Sequence, residues 1–239
     1  MGCDIHLYVE RRDGGRWLTC DRWVDTEWGR DVREHFYSGR NYDLFAILAD
    51  VRNGRGFAGV KTGEGFVPIS LPRGWPDDCC PELREVGGHI EHTPSWLTVA
   101  EVMAYDWTQT TTKQGVVDLP NWAQSVLRGE PDDWSGSVSG GKIKHVTPAD
   151  VALAWARVGG GEPPRDLMWR DEVKLAAMHR ELGAEWEPKS LMGTGNIYTT
   201  VRWKIPYYRA GENFLGCTLP RLWRFGRPED VRVVFFFDS

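Results

Sequence analysis

The first six residues include two side chains whose types and spacing are suited to chemistry. Asp4 and His6 are two residues apart in the stretch DIHLYVE, whose apolar residues occupy the alternate positions. Because side chains of a β-strand alternate between its faces, the carboxylate and the imidazole share one face. Such a pair can bind a metal ion, or the carboxylate can orient the imidazole for acid–base catalysis. A polar face on an edge strand is the competing interpretation.

A second candidate for metal binding is the pair His89 and His92, which are separated by two residues. Glu91 lies between them, but the stretch HIEH lacks the four-residue spacing of the helical zinc motif HExxH. Two glycines precede it, which favours a loop in which both histidines are simply solvated. His92 joins Asp4 and His6 as a candidate catalytic residue if the protein is an enzyme, and as a candidate ligand of a divalent metal.

The glycine-rich stretch GRGFAGVKT, residues 54–62, resembles two nucleotide-binding motifs and satisfies neither. It contains GxGxxG but follows a predicted helix instead of a strand, and Val60 interrupts the Walker pattern. Successive backbone N–H groups beside Arg55 and Lys61 can nevertheless form a concave anion site.

Three further arginines, Arg40, Arg52 and Arg73, occur in turn-like sequence contexts around this stretch. The planar guanidinium group binds phosphate through several donors. Tryptophans in loop-like sequence can stack on a base or a sugar, although core packing is the commoner role for this residue. Helix-terminal arginines with local ion pairs are the alternative. The candidate ligand-binding residues are Arg40, Asn41, Tyr42, Arg52, Arg55, Lys61, Arg73, Trp75 and Trp96.

The elements that must position these residues can be predicted from periodicity and capping. Asp-Gly-Gly at 13–15 predicts a hairpin that returns over residues 16–24. Alternation predicts a strand at 196–205, and the apolar run VRVVFFFD predicts a strand at 231–238 that is buried on both faces. Capping residues predict helices that begin near Asn41, Pro81, Thr98, Pro120 and Thr147, and helical sequence also covers 166–182 and, with a kink at Pro220, 210–225.

These elements together predict an α+β fold. A single mixed sheet contains the N-terminal hairpin and the C-terminal strand, and helices and long loops are inserted between them. We expect one domain over residues 1–239, with residues 108–195 as a possible helical insertion. The long segment 54–80 is rich in glycine and proline, and loops of this length are often functional.

Composition excludes several classes of protein. The 239 residues are 41% hydrophobic and 26% charged, as in a globular protein, and the net charge of −5 argues against binding of duplex nucleic acid. No apolar run approaches the roughly 20 residues that span a bilayer, and charged residues interrupt the first segment where a signal peptide would be apolar. We therefore expect a cytoplasmic protein with no membrane partner and with five free cysteines. Homo-oligomerisation remains open.

Five blocks of sequence add a resemblance to these patterns. They are MGCDIH, GRNYDLFAILADVRN, LPRGWPDD, HTPSWLTVAE and PEDVRVVFFFD, and they span nearly the whole chain. In these blocks the chain resembles a family of bacteriophage and prophage proteins. The resemblance implies a setting inside a bacterial host cell, but it implies no particular reaction. Residues 108–195 have no counterpart in it.

The functional expectation follows from the arginines and tryptophans. We expect a protein that binds a small anionic, nucleotide-like ligand in an Arg/Trp/Asn pocket and that requires no cofactor; in a phage it could sequester a host defence signal. One alternative is a hydrolase of a phosphate-containing ligand, in which Asp4 and His6 act as acid and base or hold a divalent metal. Another is an inhibitor that binds a protein through exposed tryptophans.

Overall fold

The computed structural model describes residues 2–27, 29–86, 92–161, 164–168, 171–185 and 195–238. Its internal contacts divide the chain into two compact units. The first unit comprises Met1–Gly59, Gly65–Thr110 and Pro206–Ser239, and the second comprises Val60–Glu64 and Thr111–Ile205. The longer segment of the second unit begins and ends within ten residues of the possible insertion at 108–195.

Both units contain helices and strands. The strands are β1 (Asp4–Asp13), β2 (Arg16–Thr19), β3 (Trp23–Thr26), β4 (Gly29–Val32), β5 (His92–Thr98), β6 (Thr110–Asp118), β7 (Lys144–Val146), β8 (Ile197–Pro206) and β9 (Val231–Asp238). The helices are α1 (Tyr42–Ala49), α2 (Pro81–Val86), α3 (Val99–Ala104), α4 (Leu119–Arg128), α5 (Pro148–Arg157), α6 (Arg165–Met168), α7 (Glu172–Glu181), α8 (Tyr207–Ala210) and α9 (Leu219–Leu222). The predicted α+β class is confirmed.

The main sheet of the first unit has the strand order β2-β1-β9-β5. All three pairings are antiparallel, and Asp4 lies opposite Asp238 in the register of β1 and β9. The predictions that the N-terminal segment forms a hairpin and that it shares a sheet with the C-terminal strand are therefore confirmed. The return strand is shorter than the predicted 16–24, because β2 ends at Thr19 and residues 23–24 belong to β3. Because β1 and β9 are the two inner strands, the first and last strands of the chain are neighbours in the centre of this sheet.

The apolar side chains of β9 divide between two hydrophobic clusters, one on each face of the main sheet. On the first face, Phe235 and Phe237 pack with Phe45 and other residues of α1. On the second face, Val234 and Phe236 pack with residues of β4, α2 and the loop before α2. This explains why β9 has a continuous apolar sequence, since a strand covered on both faces needs no polar side.

Helix α1 begins and ends as the sequence indicates. Asn41 is its N-cap, and its side-chain oxygen accepts a hydrogen bond from the backbone N–H of Leu44 at 3.0 Å. At the C-terminal end Asp50 adopts the left-handed conformation, with φ of 60°. The chain then turns toward Arg52, which also has a positive φ, of 52°.

The sequence 210–225 forms several short helical pieces instead of one kinked helix. Helix α8 is followed by a π-helical turn at Phe214–Thr218, then by α9 and a 3₁₀ turn at Trp223–Phe225. Pro220 lies in the first turn of α9, where the absence of its N–H costs little.

The second unit contains the strand order β6-β8-β7, in which β7 and β8 are parallel. The predicted capping box at Thr147 is present, because its hydroxyl accepts from the N–H of Asp150 and the Asp150 carboxylate accepts from the N–H of Thr147. Alternation correctly predicted β8, but β6 and β7 were not predicted. The helical sequence at 166–182 corresponds to two described helices, α6 and α7.

The prediction of a single sheet is wrong in one respect. The described residues form a four-stranded sheet, a two-stranded sheet of β3 and β4, and a three-stranded sheet. The two-stranded sheet escaped prediction because its strands have only four residues each, too few for a pattern to be visible. Within the described ranges, no helix has the length and apolar character needed to cross a membrane.

Candidate functional site

One end of the main sheet brings together several of the residues that the sequence singles out. Asp4 begins β1 and Asp238 ends β9, and they are neighbours in the register. Arg40 forms two hydrogen bonds with the carboxylate of Asp4, one of them at 2.7 Å. This pairing holds the pKa of Asp4 below its ordinary value. Asp4 therefore neutralises Arg40 and does not orient the imidazole of His6.

His6 is oriented by Asp238, a residue that the sequence analysis did not single out. Nε2 of His6 lies 3.0 Å from Oδ2 of Asp238, and the imidazole stacks on Phe236 with ring centroids 4.6 Å apart. The hydrogen bond from His6 lowers the pKa of Asp238. Both side chains are about one third exposed, at 37% and 33%. A carboxylate-oriented imidazole that solvent can reach has the arrangement of a general base.

His92 lies on the opposite face of the main sheet from His6. It is paired with Phe237 in the register and its ring stacks on that residue, with centroids 6.0 Å apart. Phe237 belongs to the first face, whereas Phe236, on which His6 stacks, belongs to the second. The three candidate metal ligands Asp4, His6 and His92 are therefore not brought together. Within the described part of the chain, no group of three or more His, Cys, Asp or Glu side chains could hold a metal ion.

Arg52 lies near His92 and contacts Tyr42, which packs against the first hydrophobic cluster. Its guanidinium carbon is 5.0 Å from the centroid of the Tyr42 ring, and Nη2 donates to the carbonyl of Gly2 at 3.4 Å. The group also lies beside the Cys3 thiol, whose pKa burial raises in spite of this neighbour. Cys3 is fully buried, so it is a poor nucleophile.

A cleft of about 510 Å³ opens beside Arg52 and His92. The volume falls within the range of roughly 300–1,000 Å³ that is typical of small-molecule sites. Its walls come from the end of α1, from the long loop and from the start of β5. The cleft is lined by Ala49, Asp50, Val51, Arg52, Pro72, His92 and Thr93.

The backbone around this cleft adopts unusual conformations. Four described residues other than glycine have a positive φ, and three of them, Asp50, Arg52 and Thr93, line the cleft. Thr93 is the least expected, because a β-branched side chain disfavours its φ of 53°. Strained residues of this kind persist only where the surrounding structure holds them, and they cluster at functional sites.

Arg73 and Trp96 belong to a ladder of alternating arginines and tryptophans across the second face. Arg73 forms a bidentate ion pair with Glu101, which lowers the pKa of Glu101 to about 2. The guanidinium carbon of Arg73 lies 4.8 Å from the centroid of Trp96, and that of Arg232 lies 3.9 Å from the centroid of Trp17. These contacts give Arg73 and Trp96 a structural role away from the cleft.

The remaining candidates also have local structural contacts. Asn41 caps α1 and donates to the carbonyl of Ala210 at 2.6 Å. Arg55 donates to the carbonyl of Gly59 at 3.2 Å, and Trp75 packs in the second hydrophobic cluster. Lys61 belongs to the second unit. None of these four side chains lines the cleft beside Arg52.

The sequence analysis missed a buried charge network on the second face. Arg232 is 2% exposed and donates to Glu10, which is fully buried, at 2.8 Å. It also donates to Asp78 at 2.9 Å, and a carboxylate oxygen of Glu10 accepts from the N–H of Cys80 at 2.6 Å. The loop before α2 is thus tied to the sheet. An arginine inside the apolar run VRVVFFF was the available signal, because buried arginines need a carboxylate partner.

One expectation cannot be compared with the structure. His89 and Glu91 lie outside the described residues, so the spacing of His89 and His92 has no geometric counterpart. No family model, curated protein or solved structure matches the chain.

Proposed function

We propose that the first unit binds a small anionic, nucleotide-like ligand in the cleft beside Arg52 and His92. The observation that carries this proposal is the convergence of an arginine, an imidazole and the strained backbone of Thr93 on one cleft of ligand size, whereas the positive φ of Asp50 belongs to the end of α1. Strained backbone, an arginine and an imidazole in one concavity favour a binding site over a structural loop.

The charges of the cleft define the kind of ligand. Arg52 places a positive charge at the cleft that matches a phosphate group, although Nη1 and Nη2 also donate to the carbonyls of Gly56 and Gly2 at 3.4 Å, and His92 adds a ring nitrogen. Asp50 supplies a carboxylate, which can accept hydrogen bonds from a ribose diol or an amino group. A nucleoside monophosphate has an anionic end and a donor end in one molecule, and it is therefore the ligand class that this lining favours.

The biological setting rests on the resemblance to phage and prophage proteins. In such a setting, a cytoplasmic protein with this site would sequester a nucleotide signal of the bacterial host. This part of the proposal depends on the ligand site, which is why the site is tested first.

The experiment is the recovery of intact ligand. Purified protein is incubated with adenosine monophosphate, passed through a desalting column and denatured, and the released nucleotide is quantified. The proposal predicts retention of the probe close to one per chain, with the nucleoside and phosphate parts still joined after a short incubation. Elution of all nucleotide with the free small molecules, at protein concentrations up to the millimolar range, would contradict it.

The hydrogen bond between His6 and Asp238 favours a second candidate function. An oriented and partly exposed imidazole can act as general acid or base in the hydrolysis of a phosphate-containing ligand. On this candidate, release of p-nitrophenolate from p-nitrophenyl phosphate falls strongly in both His6→Gln and Asp238→Asn. An unchanged rate in both variants would remove it.

A further inference from the structure

His92 and Thr93, two neighbouring residues of the cleft, are placed so that the imidazole could act as a base toward the hydroxyl group. Nδ1 of His92 lies 2.9 Å from the hydroxyl oxygen of Thr93. Both residues line the cleft together with Arg52, and both are partly exposed. A hydroxyl within hydrogen-bond reach of an imidazole is the general signature of an activated nucleophile.

The backbone at Thr93 supports a functional role for this pair. Thr93 has a φ of 53° and is followed by Pro94, whose ring further restricts the residue before it. The register of β5 with β9 shifts between His92 and Ser95, so Thr93 lies at a bulge or irregularity of the ladder, next to the paired His92. Bulges re-aim side chains and occur often beside active sites. Thr93 therefore combines a φ that is unfavourable for a β-branched residue with an interruption of the hydrogen bonding between β5 and β9.

We infer that Thr93 is the nucleophile, and His92 its general base, of a phosphoryl-transfer site that hydrolyses phosphate monoesters. This inference rests on the proposed function, because Arg52 must hold the phosphate group in the cleft. It goes beyond binding, since it assigns to the same site a reaction that is slow on the timescale of the short incubation with adenosine monophosphate.

The reaction has two steps. In the first, Nδ1 of His92 takes the hydroxyl proton as Oγ1 of Thr93 forms a bond to phosphorus, and the ester P–O bond breaks. The proton passes from His92 to the departing alcohol oxygen. The guanidinium of Arg52 stabilises the charge on the phosphoryl oxygens as the transition state forms.

In the second step, water attacks the phosphothreonine. His92 removes a proton from the water, the bond between phosphorus and Oγ1 breaks, and Thr93 regains its proton. The products are the alcohol and inorganic phosphate. Water is the only co-reactant, so the atoms and electrons of the two steps balance without an oxidant or a reductant.

The test uses p-nitrophenyl phosphate as the probe. We expect the wild-type chain to release p-nitrophenolate, and intact and peptide mass spectrometry to find one phosphoryl group on Thr93 after acid quenching. Thr93→Val keeps the branched shape and removes the hydroxyl, so both signals should disappear, whereas Thr93→Ser should keep them. His92→Gln should slow release by roughly 10²- to 10⁴-fold, the usual contribution of a general base. Melting curves show whether each variant is folded.

Several results would overturn the inference. If the wild-type chain binds adenosine monophosphate but shows neither release nor adduct, the inference fails while the proposed function stands. If Thr93→Val, purified in parallel, releases p-nitrophenolate at the wild-type rate, the nucleophile is wrong. If the wild-type chain neither binds the nucleotide nor reacts, the proposed function itself fails. The adduct measurement needs no variant, so a misfolded Thr93→Val does not prevent a decision.

Discussion

Two carboxylates at the same end of the main sheet form hydrogen bonds with different partners. Arg40 holds Asp4, and His6 holds Asp238, although Asp4 and Asp238 are opposite each other in the register. The hydrogen bond from Arg40 is the main cause of the lowered pKa of Asp4, and the hydrogen bond from His6 is the main cause of the lowered pKa of Asp238. The two pairs should therefore respond separately to substitution.

The first prediction separates these pairs by carboxyl titration. In His6→Gln the pKa of Asp238 should rise toward its ordinary value, because its main stabilising hydrogen bond is lost, while Asp4 remains low. In Arg40→Gln the opposite pattern is expected, and each variant serves as the control for the other. NMR titration of the carboxyl carbons measures both groups. A rise of the Asp4 pKa as large as that of the Asp238 pKa in His6→Gln would contradict the observed pairing, because the charge of His6 is only a minor cause of the lowered Asp4 pKa.

The second prediction concerns the buried pair of Arg232 and Glu10. Glu10→Gln removes the buried one of the two carboxylates that contact Arg232 and leaves the more exposed Asp78, so we expect the free energy of unfolding to fall by about 1.5–3 kcal/mol. Glu229→Gln is the matched control, because Glu229 is 54% exposed and 3.6 Å from Arg227, and such surface pairs contribute about 0–1 kcal/mol. Urea denaturation measures both changes. Equal effects in the two variants would show that the buried network contributes little.

For individual residues, the sequence spacing identified reactive side chains but not the residues that they contact. Asp4 and His6 share a strand face as predicted, yet the partner of each lies far along the chain, at Arg40 and Asp238. The alternation along a strand predicts which side chains share a face, but the sheet register determines which of them are in contact across strands. Asp238 ends the apolar run VRVVFFFD, but nothing in that run indicates that it meets His6.

Among the elements, β9 contributes an unbroken run of buried residues to the core of the first unit. Every residue from Val231 to Phe237 is buried, and β9 pairs on both sides. Its sequence predicted this position, because a continuous apolar run is typical of a strand covered on both faces.

The third prediction measures this contribution with one side chain. Phe235→Ala should lower the free energy of unfolding by about 3–5 kcal/mol, because it leaves a cavity in a fully buried position. Phe57→Ala removes the same atoms from a residue that is 61% exposed and should change stability by less than about 0.5 kcal/mol. Chemical denaturation of both variants provides the comparison. A small effect of Phe235→Ala would contradict the central position of β9.

The fourth prediction concerns Asp21, which follows β2 and is 7% exposed. Burial raises its pKa to about 7, although its carboxylate accepts a hydrogen bond from the N–H of Val9 at 2.7 Å. The folded state therefore binds this proton more tightly than the unfolded state, and its contribution to stability falls as the pH rises from about 4 to 7. Asp21→Asn removes the titration. Relative to the wild type, it should gain on the order of 2 kcal/mol between pH 5 and pH 8.

The control for Asp21 is an exposed carboxylate. Asp13 is 62% exposed, so Asp13→Asn should show no comparable change of relative stability with pH. Urea denaturation at pH 5, 6, 7 and 8 measures the three chains. If Asp21→Asn and the wild type keep a constant difference over this range, Asp21 is ionised in the folded state and the assigned burial effect is wrong.

The elements that the sequence could not predict are those without strong periodicity. Strand β6 has the sequence TTTKQGVVD, in which polar residues occupy several buried positions, so alternation of hydrophobicity is absent. Strand β5 begins at His92 and contains Pro94 and a bulge, which hides its pattern. By contrast, the helices with a clear capping box, α3 and α5, begin where the sequence places them.

Over the whole molecule, the proposed chemistry belongs to the first unit. The blocks that carry the resemblance, from MGCDIH to PEDVRVVFFFD, also lie in the first unit, whereas the second unit covers the stretch without a counterpart. The position of the cleft could not be predicted from the sequence. Its walls come from α1, the long loop and β5, which are distant in the sequence and are brought together only by the fold. Of the nine candidate ligand-binding residues, Arg52 alone lines it.

The most direct test of the central claim is the affinity of the cleft for adenosine monophosphate, measured by titration calorimetry. Arg52→Asn removes the guanidinium, and asparagine tolerates the positive φ at this position. Arg128→Asn is the control, because it removes the same charge from an exposed pair with Asp132 in the second unit. We predict binding by the wild type and Arg128→Asn, and an affinity that is roughly 10- to 100-fold weaker in Arg52→Asn, as expected for a lost charge-assisted hydrogen bond. Equal affinity of a folded Arg52→Asn and the wild type would contradict the assignment of the site.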